Sequence, residues 1–323
     1  MIKRITDDFD PDRIAESGQC FRWEKTEGET WRIIAGKACL YLTSLGDDLY
    51  ELDCSEDEYE YFWREYFDLQ ENYKNIRGRI DQGEDPFLWQ AAEQEKGIRI
   101  LRQDPWEMLI TFIISQNRNI PAIRNSVELL AERCGEKRID SRGEYFYAFP
   151  EPAALAALPE SDLKSCKLGY RCKYVHAAAE AVSNGDIDLL SLLDLDEAST
   201  ITALTKLFGV GTKVANCVSL FGLHHVNAFP VDVWIRRVLE EQYPNGYPYE
   251  KYAPYNGIYQ QYMFAYYRGN KKETTSGVVC RCFRGENDLW GSLSKVEKAT
   301  SGVVCRKGID YYNENHGQCL PGR

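Results

Sequence analysis

The sequence predicts an α+β protein in which a small N-terminal antiparallel β-sheet is followed by a mainly helical core. Three observations carry this. Two β-rich runs, 30–42 (TWRIIAGKACLYL) and 48–54 (DLYELDC), lie close together with turn residues between them. From Asp104 onward the apolar residues change to helical spacing. Residues 204–221 place Phe208, Gly209, Val210 and Gly211 between two apolar segments, which makes two short helices joined by a glycine turn. With 323 residues the chain has room for two or three compact units. The expected divisions are an α+β unit over 1–97, a helical unit over 98–270 and a poorly ordered tail over 271–323.

In the first unit, Ser55 followed three residues later by Glu58 is a capping-box signature, and it opens a helix carrying Tyr59, Phe62, Trp63 and Tyr66. Upstream, Ser17-Gly18-Gln19 forms a turn before Cys20-Phe21-Arg22-Trp23. The helical unit begins at Asp104-Pro105, an N-cap with proline in the first helical position. Leu109, Phe112 and Ile113 supply its buried stripe up to Gln116, where Asn117, Arg118 and Asn119 break the pattern before Ile120 and Pro121 start another helix. Residues 139–165 form an aromatic, Ala/Pro-rich connection in which Ser161 is the expected N-cap. A helix over 174–183 follows, with His176 packed among alanines, and Asp194, Asp196 and Glu197 make an acidic turn.

The glycine turn is where chemistry enters. Its glycines allow the backbone close to a ligand, and the helix starting at Thr212 or Lys213 opens with unpaired N–H groups that suit a phosphate. An ordinary helical corner is the alternative. Lys213 stands in the first helical turn, where the macrodipole disfavours a cation. A positive helix end and desolvation both raise the neutral, nucleophilic fraction of such an amine. Asp232, after Ala228-Phe229-Pro230-Val231, is the expected N-cap of the next helix, and a carboxylate there could also serve as an electrostatic or acid/base partner of Lys213.

Composition sets limits. The net charge of −11 repels a polyanion at long range, so contact with DNA has to come from a local basic patch and oriented amides. Eleven irregularly spaced cysteines, with no leading apolar segment and no membrane-length apolar run, point to free thiols in a reducing cytoplasm. No metal-ligand spacing is present.

GVGTKVANC followed by NAFPVDV resembles the helix-hairpin-helix DNA glycosylases, and most closely the 8-oxoguanine DNA glycosylase/AP lyase family. The similarity recurs in order at SGQCFRW (17–23), DPWEMLITFIISQNRNI (104–120), LGYRCKYV (168–175) and GIYQQYMFAYYR (257–268). The resemblance implies base excision repair on double-stranded DNA containing an oxidised purine, by a monomer working at the nucleoid or in the nucleus. Removal of 8-oxoguanine by base flipping would be followed by strand cleavage through a lysine Schiff base. It assigns Lys213 and Asp232 as catalytic. Gly18 would offer its carbonyl to the N7–H that only the oxidised base has, Gln260 would read the Watson–Crick edge, and Cys217 and Phe264 would sandwich the ring. Asn117, Tyr170 and Arg171 would fill the gap in the duplex and contact the opposite cytosine, while Gly209 and Gly211 hold phosphate. No cofactor is implied beyond a cation on the hairpin carbonyls, and the spacing of Cys280, Cys282, Cys305 and Cys319 argues against an iron–sulfur cluster.

The chain departs from the family in two places. Ala122 stands where eukaryotic members carry a further cytosine-reading arginine, and Trp234 stands where a phosphate-contacting histidine is common. Beyond Asn270 the resemblance ends, and TSGVVCR occurs twice, at 275–281 and 300–306. A relative acting on another damaged base, or a DNA-binding module without catalysis, are the alternatives.

Overall fold

The computed structural model describes residues 1–284, 304–305, 310–313 and 318–321. It divides into two units, Met1–Glu273 and Thr274–Arg323.

The first unit opens with a five-stranded antiparallel sheet in the order β1-β5-β4-β3-β2, formed by β1 (Ile2–Arg4), β2 (Trp23–Lys25), β3 (Thr30–Ala35), β4 (Ala38–Gly46) and β5 (Leu49–Leu52). The single β-rich run expected over 30–42 is therefore a hairpin, because Gly36 takes a φ of 56° and turns the chain between β3 and β4. One sheet face buries Trp23, Trp31, Ile33, Leu40, Leu42 and Leu52 against Trp63 and Phe67. The helix carrying those aromatics starts from Ser55, whose side chain accepts from Glu58 N–H, and widens to π geometry over Tyr59–Trp63.

The opposite face meets the helical half of the unit. Ile34 and Cys39 pack on Phe146, which lies in a two-stranded ribbon, Lys137–Ile139 with Tyr145–Tyr147, that the sequence pattern did not suggest. Asp140, at the turn of that ribbon, accepts from Arg32 and from the Tyr41 hydroxyl at 2.9 Å. Nearby the helix expected to start from Ser161 instead spans Glu160–Ser165 with Pro159 at its N-cap. Proline in the extended conformation ends the preceding connection just as well.

The helical core packs Pro105–Ile114 against Thr212–Phe221, with the Phe112 and Phe221 rings stacked at 5.3 Å. Asp104 caps the first of these by accepting from Glu107 N–H at 2.7 Å. The long helix Asn256–Arg284 crosses back to the N-terminal residues, burying Tyr259, Tyr262 and Met263. The tail expectation over 271–323 falls largely outside the described residues. Within the second unit, three short strands form an antiparallel sheet with Asp310–Asn313 between Val304–Cys305 and Gln318–Pro321.

Candidate active site

The glycine turn joins Glu197–Leu204 to Thr212–Phe221, as expected of a helix-hairpin-helix. Gly209 has a φ of 84°, and a Cβ built on it would lie 2.3 Å from Cγ of Tyr174, so the ring of Tyr174 occupies the space that any other residue would need. Gln116 donates to the Gly209 carbonyl at 3.1 Å and tethers the turn to the end of Pro105–Ile114. Gly211 is the N-cap of the second helix and supplies no side-chain cap. Aspartate or asparagine caps the helices that start at Pro11, Pro86, Pro105, Ile120, Glu197 and Val233. The N–H groups of Gly211, Thr212 and Lys213 therefore face outward with no acceptor among the described residues, and the helix dipole makes them a seat for an anion.

Lys213 projects from the first turn of this helix. Its ammonium nitrogen lies 5.4 Å from the centre of the Phe112 ring, beside the thiol of buried Cys217, and it enters no ion pair among the described residues. Burial pushes the Cys217 thiol up, Lys213 pulls it down and Asp232 adds to the upward push, so both candidate catalytic groups act on the same sulfur. Asp232 caps Val233–Gln242 through one oxygen, Oδ1, which accepts from the N–H groups of Trp234 and Ile235, both at 2.9 Å. Its Oδ2 has no hydrogen-bond partner among the described residues. One carboxylate thus serves the helix end with one oxygen and leaves the other available.

Gly18 sits in a turn that buried Gln19 holds rigid. The Gln19 amide donates to Ser17 Oγ and to the Arg99 carbonyl, both at 2.8 Å, and accepts from Leu101 N–H at 2.9 Å. The φ of Gly18 is 81°, and its carbonyl accepts no hydrogen bond among the described residues. A Cβ on Gly18 would lie 3.4 Å from Cε1 of Phe264, so the structure brings these two distant residues together. Gln260 lies one helical turn before Phe264 and is buried. Its amide donates to the Pro230 carbonyl at 3.0 Å and accepts from Gln261 at 2.9 Å, which ties it to the loop that carries Asp232.

The residues expected at the duplex gap lie together, but not all in the same way. Asn117 is exposed at a φ of 51°, and its amide reaches the Tyr170 hydroxyl at 3.4 Å. Arg171 is only 6% exposed. Its guanidinium donates to the carbonyls of Gln116, Asn117 and Leu168, so in this state it braces the Asn117 corner rather than projecting toward DNA. Trp234 packs edge-on against Tyr267 at 6.3 Å. Tyr174 and Gln116 had no chemical signal in the sequence, since their importance comes from what they touch across the fold.

The charge distribution resolves the acidic total. Lys3, Arg13, Arg22, Lys25, Arg32 and Lys37 of the sheet region all have carboxylate partners. Lys167, Lys173, Lys206, Lys213, Arg236 and Arg237, which flank the hairpin and Asp232 in the chain, enter no ion pair among the described residues. Exposed Phe208 and Tyr170 stand among them, joined through the edge-on ring of Tyr174. Uncompensated cations interleaved with aromatics and open amides make a surface for a nucleic-acid backbone. Among the described residues no group of three or more His, Cys, Asp or Glu side chains could hold a metal, and no helix is long and apolar enough to cross a membrane.

Known proteins resemble this chain over most of its length. A family model described as 8-oxoguanine DNA glycosylase, N-terminal domain, matches residues 1–109, and one described as HhH-GPD superfamily base excision DNA repair protein matches residues 110–248. The chain is 33% identical over 232 residues to N-glycosylase/DNA lyase OGG1 of Arabidopsis thaliana, covering 68% of this chain and 62% of that protein. It is 30% identical over 254 residues to N-glycosylase/DNA lyase of Saccharomyces cerevisiae, covering 71% and 67%. The matched region thus spans about two thirds of these curated relatives. The crystal structure of Clostridium acetobutylicum 8-oxoguanine glycosylase/lyase, in complex with double-stranded DNA containing cytosine opposite 8-oxoguanine, superimposes with a TM-score of 0.78 at 34% identity. That superposition covers 84% of this chain and 95% of the other.

Proposed function

The chain belongs to the 8-oxoguanine DNA glycosylase family of the helix-hairpin-helix superfamily, and from that premise we propose that it excises 8-oxoguanine from duplex DNA and then cleaves the strand as an AP lyase. The observation that carries the reading is Lys213, an amine with no carboxylate partner among the described residues that lies beside the Cys217 thiol, next to the anion-seating start of its own helix.

The hairpin amides and the nearby cations hold the backbone while the damaged nucleotide turns out of the stack. Phe264 offers one face to the base, Cys217 lies on the other side, Gln260 meets the Watson–Crick edge and the open carbonyl of Gly18 accepts from N7–H. Guanine presents a lone pair at N7, so the same carbonyl would be left unpaired against it, a penalty of about 1–3 kcal/mol. As the C1′–N9 bond breaks, its electron pair leaves with the base and the free oxygen of Asp232 faces the positive charge on the sugar. The Lys213 nitrogen bonds to C1′ through its lone pair and gives up a proton, and ring opening gives the Schiff base. Removal of a proton from C2′ then expels the 3′ phosphate by β-elimination.

Asn117 and Tyr170 occupy the vacated gap, and with Ala122 at the third position the reading of the opposite base is relaxed. The reading includes a monomer working where the DNA is, in the cytoplasmic nucleoid or in the nucleus. The chemistry needs no cofactor. A cation on the hairpin fits the carbonyls of Leu207 and Gly209, each of which accepts one hydrogen bond, from Val210 N–H and from Gln116, and keeps a second lone pair. It would steady the turn.

The test is borohydride trapping on a duplex carrying 8-oxoguanine. The wild-type chain should form a covalent adduct and Lys213→Gln none. An adduct that survives this substitution removes Lys213 from the mechanism.

A further inference from the structure

Arg268 closes the GIYQQYMFAYYR stretch, where the resemblance assigns it no role, yet it reaches the proposed lesion pocket. It lies one helical turn after Phe264, and a helical side chain leans back toward the N-terminus, so its guanidinium returns over that ring with Cζ 5.2 Å from the ring centre. Nη2 donates to the Glu16 carbonyl at 2.5 Å, which fixes the group beside the Ser17-Gly18-Gln19 turn. Nη1 lies 3.8 Å from where a Cβ on Gly18 would be. Neither Nη1 nor Nε has an acceptor among the described residues.

A cation with open donors therefore stands next to Gly18, the residue whose carbonyl is proposed to read N7–H. On 8-oxoguanine, N7 and N9 flank C8, and C8 carries the oxygen O8. When the C1′–N9 bond breaks, the electron pair that stays on N9 is shared directly with O8 through C8. We propose that Arg268 is a specificity-determining residue whose free N–H groups bond O8, stabilising the negative charge that gathers there as the base departs. Guanine has no oxygen at C8, so it gains nothing from this contact. Burial lowers the guanidinium from its ordinary value, and the charges of Glu16, Asp232 and Glu95 partly offset it. Held in place by Glu16, the group is set before the base arrives, which is the condition for such a donor to lower the barrier.

The assignment rests on the proposed 8-oxoguanine activity, and the experiment separates the two. Single-turnover base release from an 8-oxoguanine duplex is measured at saturating protein for wild type, Arg268→Leu and Arg268→Lys, alongside strand cleavage of a duplex with a preformed abasic site. Arg268→Leu should slow base release on the order of 100-fold, the size expected for one donor aimed at developing negative charge, with abasic-site cleavage unchanged. Arg268→Lys should recover part of the rate. Equal losses on both duplexes would mean that Arg268 only braces the Glu16 turn or the DNA, and unchanged base release would mean that it does not meet the base; either result overturns the assignment. A wild-type chain that cleaves abasic DNA but releases no 8-oxoguanine would instead overturn the proposed substrate.

Discussion

Replacing Gly209 with alanine should damage the hairpin far more than the same change at Gly211. At Gly209 the new methyl would meet Cγ, Cδ1 and Cβ of Tyr174 at 2.3, 2.4 and 2.8 Å, on a backbone with a φ of 84°. The left-handed backbone costs about 1–2 kcal/mol for a residue with a Cβ, and forcing Tyr174 aside adds an overpacking cost of about 1–3 kcal/mol. The total of about 2–5 kcal/mol lowers the melting temperature by roughly 4 to 20 °C for a unit of this size. Tyr174 also meets the Phe208 ring at 5.0 Å and the Tyr170 ring at 6.0 Å, so displacing it disturbs both exposed aromatics of the DNA face. At Gly211 a Cβ meets nothing within 4 Å, and its φ of −92° suits any residue. Differential scanning fluorimetry and fluorescence anisotropy with an abasic duplex measure the two effects. Gly209→Ala should melt lower and bind more weakly, while Gly211→Ala melts within about 1 °C of wild type, as for a surface change. A Gly209→Ala protein that melts and binds like wild type would refute the close-packed turn.

Three further outcomes follow from the geometry. Burial pushes the Glu107 carboxyl up to about 7 from 4.5, so the folded state holds this proton longer than the unfolded state. The Glu107 contribution to stability is therefore fully present below about 4.5 and is lost as pH rises through 7, by on the order of 3 kcal/mol, and Glu107→Gln should remove that part of the dependence of melting temperature on pH between about 5 and 7. Arg171→Ala strips the donors from the Gln116, Asn117 and Leu168 carbonyls, and should cost about 2–4 kcal/mol in denaturant unfolding; an unchanged midpoint would contradict its bracing role. Asp232→Asn keeps an oxygen for the Trp234 and Ile235 amides, so its melt should be nearly unchanged while single-turnover base release falls on the order of 100-fold. Equal loss of melt and rate would make Asp232 a cap and nothing more.

Local chemistry explains which parts of this were legible beforehand. Ser55, Asp104 and Asp232 announce helix starts because capping depends on residues two or three positions away, and the glycine turn is visible for the same reason. Asp10-Pro11 carries the same signal as Asp104-Pro105, yet the helix Pro11–Glu16 is too short to show periodicity. The π turn over Tyr59–Trp63 and the ribbon over 137–147 leave no pattern in composition. The site was legible through motif resemblance, but side-chain states were not. That Arg171 faces inward depends on carbonyls at Gln116 and Asn117, and that Tyr174 fills the space over Gly209 depends on a contact across 35 positions of sequence, from 174 to 209. Arg268 is the last residue of the GIYQQYMFAYYR stretch, and its place beside Gly18 exists only in the folded chain.

The meeting of Arg268 with the Glu16 carbonyl spans 252 positions. A ribosome therefore makes the first wall of the pocket near the start of synthesis and the second only after nearly the whole first unit has emerged. A nascent chain that already carries Lys213 and Asp232 still has no Phe264 against which to seat a base. The pocket therefore closes only when the helix that begins at Asn256 has been made and has folded back onto the N-terminal turn.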